Sequence, residues 1–144
     1  MSQKDVELRA MRRMRRQEIL TLREHPPQYD VIVHEAALRM QFGGPKVARR
    51  QLQHLLDMSE RDNISIRVLP FAAQVFSGPG QPICYANGRV GQLDTVQLDS
   101  FHGPVFVDES KELAKYRALL DKAEAMSHSP DETRELIHEI AQRL

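Results

Sequence analysis

Val31-Ile-Val-His-Glu-Ala-Ala-Leu-Arg39, then Gly43-Gly-Pro45, Gln51-Leu-Gln-His-Leu55 and Ile66-Arg-Val-Leu-Pro-Phe71, is the stretch that decides the fold. Its first part, from Tyr29 to His34, is short, apolar and β-branched, which predicts a strand. Gly43-Gly-Pro45 breaks the chain. Beyond it Val47, Leu52, Leu55, Leu56 and Ser59 fall on one side of a helix, with Arg49, Arg50 and Asp57 on the other. Ile64 to Pro70 alternates apolar and polar residues, the period of a half-buried strand.

Outward from this centre the chain turns helical at both ends. Residues 4–24 carry many strong helix formers, with Val6, Met11, Met14, Leu20 and Leu22 scattered among them, so the stripe is weak and the helix is expected to pack on something outside the chain. Pro26-Pro27 stops it. Residues 72–81, with Ser77-Gly-Pro-Gly80, read as a loop. Ile83 to Ala86, Asn87-Gly88 and Arg89-Val90 read as a hairpin with a primed turn. Thr95 to Leu98 and Pro104 to Val107 are two further strands. A third helix is expected near 109–126, with Leu113, Tyr116, Leu119, Leu120 and Ala123 as its stripe. A last helix carries Leu136, Ile137, Ile140 and Leu144, and starts on a capping box of Ser129 and Glu132 with Pro130 at its first position. The expectation is an α+β fold: a small, mostly antiparallel sheet of about five strands flanked by four helices. One domain, 1–144, would comprise a basic helix (1–25), a sheet region with one helix (28–107) and a C-terminal helical pair (108–144).

Composition bounds the function. Formal net charge is zero over 144 residues, which argues against a nucleic-acid footprint spread over the surface. The charge is uneven: residues 1–25 hold seven Lys/Arg against four Asp/Glu, and 108–144 hold six against nine. Arg9, Arg12, Arg13 and Arg16 share one helix face. Without aromatic interleaving or a second helix at turn distance they do not make a helix-turn-helix, and direct DNA binding is not expected. The lone Cys84 fits a reducing cytoplasm, and a strand cysteine reads first as a small buried hydrophobe. No apolar run reaches the roughly 18 residues of a membrane span. A soluble, cytoplasmic protein is expected.

Candidate chemistry is sparse. His34-Glu35 lies where a strand turns into a helix, so Glu35 is either an acid–base group or a carboxylate favoured by a helix first turn. His25, His54, His102, His128 and His138 have no partner at metal-ligand spacing, so no metal and no cofactor is expected; His54 and His138 read as solvated. His102, in the loop Ser100-Phe-His-Gly103, can sit at a pocket mouth. Phe71, Phe76, Tyr85, Phe101 and Phe106 surround the middle strands and can line an apolar site.

The quoted stretch, with its Glu-Ala-Ala-Leu, Gly-Gly, Gln-Leu-x-x-Leu and Val-Leu-Pro-Phe in that order, resembles the effector domain that follows a helix-turn-helix in actinobacterial Xre-type regulators, the Scr-type antitoxin-like proteins of WhiJ-like gene sets. The resemblance covers roughly residues 11–142. It implies an α+β ligand-sensing or partner-binding domain, with the Arg12–Leu20 segment as a connecting helix suited to packing or dimerisation. With a native start at Met1 it would also imply a stand-alone derivative, because no DNA-binding headpiece precedes the match. The chain departs from the family at His34, at Gln97, where the family strand usually has Tyr, and at Asp99, where it has Glu. The leading expectation is a regulatory, dimeric module binding a small apolar ligand or a small protein partner, with His34, Phe71, Phe76, Tyr85, Gln97, Phe101 and Phe106 as binding residues. The alternative is a cofactor-independent cyclase or isomerase on the same scaffold, with Glu35 or Asp99 as base and His102 as proton donor.

Overall fold

The computed structural model describes residues 1–73 and 81–144, and the predicted loop segment Ser77–Gly80 and Phe76 lie outside them. In chain order the elements are α1 (Gln3–Thr21), β1 (Tyr29–His34), α2 (Glu35–Arg39), α3 (Pro45–Ser59), β2 (Ile64–Leu69), β3 (Ile83–Ala86), β4 (Thr95–Ser100), β5 (Gly103–Val107), α4 (Ser110–Met126) and α5 (Pro130–Gln142), with one turn of 3-10 helix at Gly91–Leu93. The fold is α+β. Among the described residues its five strands divide into a two-stranded sheet, β1-β2, and a three-stranded sheet, β3-β4-β5, so the single sheet of about five strands is corrected. No described helix is long and apolar enough to cross a membrane.

The chain gathers into two compact units, residues 1–68 with 128–144 and residues 69–127. In the first, Leu38, Leu52, Leu56, Val68, Ile137 and Ile140 form the core, with Val33, Leu55 and Leu136 packed against it. These are the faces the spacing predicts for α3, β2 and α5, with one difference: Val47 stays half exposed and Ala48 is buried. Gly43 and Gly44 explain the break before α3. Both have positive φ (78° and 91°), a backbone that favours glycine. Ser129 accepts from the Glu132 amide while Glu132 accepts from the Ser129 amide, so the predicted capping box starts α5.

Why the first sheet stops at two strands is visible at Val68. Its amide donates to Thr133 Oγ1 at 3.0 Å, and its carbonyl accepts from the His128 amide at 2.9 Å. The first turn of α5 takes the backbone groups that another strand would need. Arg134 adds a second tie, its Nη1 donating to the Leu56 carbonyl at 2.9 Å and to Ser59 Oγ, which satisfies the end of α3.

Helix α1 is different. A capping box of Ser2 and Asp5 starts it, yet none of its 19 residues is buried. It ends at Thr21, ahead of Pro26-Pro27, and Asn63 holds that end by donating to the carbonyls of Leu20 and Pro27, both at 3.1 Å.

In the second unit Val96, Leu98 and Leu113 are buried, with Ile83, Tyr85, Val107 and Tyr116 against them. The expected hairpin partner of β3 is corrected: Arg89-Val90 forms no strand, and β3 pairs antiparallel with β4. The physical reason is Asp94. Its carboxylate accepts from the Gly88 amide at 2.8 Å and from the Tyr85 hydroxyl at 2.7 Å, which holds the loop after β3 in place of a tight primed turn. Gly88 accordingly lacks the positive φ such a turn requires, and a Cβ there would lie 2.6 Å from Leu93 Cβ.

Candidate functional site

The register of the three-stranded sheet sorts its side chains. Tyr85 pairs with Val96 and Val96 with Val107; Ile83 pairs with Leu98 and Leu98 with Val105. Alternation along a strand places these on one side, against α4. The opposite side carries Cys84, Gln97 and Phe106 in one cross-strand row, with Asp99 beside Pro104 in the next. This outer side is open: Phe106 is 66% exposed, and Asp99 and Pro104 are exposed as well. Cys84 is exposed too, which corrects its reading as a buried hydrophobe; its register opposite Gln97 turns it away from the core.

The β4–β5 turn extends that side. Ser100 pairs with Gly103, the Ser100 hydroxyl donating to the Gly103 carbonyl at 2.7 Å, and Phe101-His102 make the two-residue tip. Positive φ falls on Gly103 (118°), so neither tip residue is strained. Phe101 is fully exposed, and its ring and that of His102 make a T-shaped pair with centroids 5.6 Å apart at 88°. Gln97 reaches Asp99 at 3.5 Å. Five of the expected residues, Gln97, Asp99, Phe101, His102 and Phe106, therefore belong to one hairpin.

The others lie elsewhere. His34 is the N-cap of α2, its Nδ1 accepting from the Ala36 amide at 3.1 Å. Glu35 is buried in the first turn of that helix and pairs with Arg39 at 2.9 Å, one turn on. Its carboxylate charges the helix start. Tyr85 faces the core side and gives its hydroxyl to Asp94. That bond holds Asp94 below the usual carboxylate range, aided by the Gly88 amide, and holds the Tyr85 phenol above its ordinary value. Phe71 follows β2 and is exposed, His138 is exposed as expected, and His54 is half-buried, which corrects its solvated reading. Sequence reasoning missed Asp94 and Thr133. Asp94 stands among turn residues with nothing local to mark it as buried; Thr133 sits one residue past the Ser129–Glu132 capping box, and its partner Val68 is distant in sequence.

Two shallow indentations, of about 380 Å³ and about 260 Å³, are lined by Met1, Asp5, Leu8, Arg9 and Arg12, and by Gly91, Gln92, Ser110, Leu113 and Arg117. Neither contains an expected site residue. The aromatic residues stand on an open surface, a geometry suited to a broad contact. The site is thus a surface hairpin with a row of apolar and polar side chains on its outer side.

The chain belongs to the family described as a domain of unknown function, DUF5753, whose model matches residues 1–139. No curated protein matches it, and no solved structure does.

Proposed function

We propose that this protein is a regulatory binding module whose outer β3-β4-β5 side and β4–β5 tip receive a protein partner. The observation that carries the reading is the pair Phe101 and Phe106, two large aromatic rings left in water on one hairpin. Exposed aromatic residues of this kind anchor partners by filling their pockets, while neighbouring polar groups fix register. Gln97 and Asp99 supply such groups in the adjoining strand. Between the two ligands expected from sequence, the open surface favours a protein, because a small molecule gains affinity from being largely enclosed.

The test is a comparison of wild type with F101A/F106A. Both positions are exposed, so thermal stability should stay within about 0.5 kcal/mol of wild type. Partners captured by the wild type are identified by mass spectrometry, purified, and titrated against both proteins by calorimetry. Loss of at least tenfold in affinity is expected for the double variant. Equal affinity for both proteins, or no directly binding protein, overturns the proposal.

A further inference from the structure

We infer that α1 docks on α5 of a second copy of this chain, its arginine row against the partner's acidic row. The inference stands apart from the hairpin reading and uses other residues.

Two exposed rows of opposite charge carry it. On α1, Arg9, Arg13 and Arg16, with Arg12 beside them, lie along one face of a helix that has no buried residue. Asp131, Glu135 and Glu139 recur every fourth residue on the exposed side of α5. None of these seven forms an ion pair among the described residues, and Arg9 exerts a minor pull on the Asp5 carboxylate. At 1.5 Å per residue, Arg9 to Arg16 spans about 10.5 Å and Asp131 to Glu139 about 12 Å. The rows match in length and oppose in sign, and either direction of pairing puts Arg13 opposite Glu135. Leu8 and Ile19 border the arginine row and are exposed, so they add apolar contact to the charge match.

A second copy is the fitting occupant because the chain is complementary to itself. α1 carries six Lys/Arg against three Asp/Glu, and α5 carries four Asp/Glu against one Arg, an excess of three on each and of opposite sign. When each copy offers α1 to the other's α5, the contact is made twice around a two-fold axis, the commonest form of closed homo-oligomer. A solitary helix of this length is marginal in water, so α1 gains most from such a partner.

Charge exchange provides the test, read by sedimentation equilibrium on the full chain. Wild type is expected to dimerise, less tightly as salt rises. R13E/R16E and E135K/E139K should each weaken the dimer at least tenfold. Mixed in equal amounts they should recover it, since both contacts in the mixed pair are again of opposite sign. A second measurement uses a C84S background, where chains carrying R13C and chains carrying E135C should form a disulfide-linked heterodimer on mixing. A wild type monomeric across the micromolar range overturns the inference, as do variants that dimerise like wild type or a mixture that fails to pair. If α1 instead serves a nucleic-acid backbone, the wild type stays monomeric and R13E/R16E alone loses retention on duplex DNA, which also overturns it.

Discussion

Replacing Thr133 by valine removes one oxygen from a side chain that is 1% exposed. That oxygen accepts the amide of Val68, a residue with no exposure at all, at 3.0 Å. Water has no route to the orphaned N–H, so the loss is close to the full penalty of an unsatisfied buried donor, about 1–3 kcal/mol. The added methyl group recovers little, because it stands where the amide needs an acceptor. For a domain of this size about 2 kcal/mol lowers the melting temperature by roughly 5–10 °C. Thr133→Ser keeps the acceptor and loses only a methyl, costing about 0.5–1.5 kcal/mol by analogy with Ile→Val. The expected order in urea unfolding is wild type, then T133S, then T133V. Hydrogen exchange at the Val68 amide separates the mechanism from general loosening: it should quicken in T133V beyond what the stability change accounts for, and not in T133S. A T133V protein as stable as wild type, or more stable than T133S, would refute the reasoning.

Tyr85 and Asp94 define a pH window for the second unit. Asp94 is held low, so its contribution is present above the ordinary carboxylate value near 4 and is lost as pH falls through its own lower value; Tyr85 is held high, so its contribution is present below about 10 and is lost as pH rises through its own higher value. Ultraviolet titration of tyrosinate should show one phenol ionising late, and D94N should return it toward the ordinary range. Arg134→Lys keeps a charge but not the fork that reaches Leu56, Ser59 and Glu60, and should cost about 1 kcal/mol in thermal unfolding. Gly44→Ala meets no steric obstacle yet forces an L-residue to φ 91°, so a loss of about 1–3 kcal/mol by urea denaturation is expected; an unchanged midpoint would show that the backbone relaxes there.

What the sequence made legible is what depends on near neighbours. The α5 start was readable because Ser129, Pro130 and Glu132 act within one turn, and β2 because alternation is local. The division of the strands was not, since it turns on Val68 bonding a threonine 65 positions away. The turn after β3 misled for a related reason. Asn87-Gly88 is a strong local hairpin signal, and it is overruled by a carboxylate six residues beyond Gly88. At the candidate site the residue types were readable and their faces were not. Tyr85 and Phe106 look equivalent in sequence, yet register turns one ring toward α4 and the other into water.

Each unit closes a core of its own from β2 with α3 and α5, or from β3–β5 with α4. Among the described residues neither core includes a residue of α1, and neither includes Phe101 or Phe106. A ring in water contributes nothing to folding, and a helix with no buried residue leans on its caps, its propensity and the Asn63 tie to its last turn. The arginine row and the hairpin aromatics are therefore dispensable to the cores. Substitutions there should be neutral in the unfolding of the dissociated chain and damaging in association, the reverse of what Thr133 and Gly44 should show.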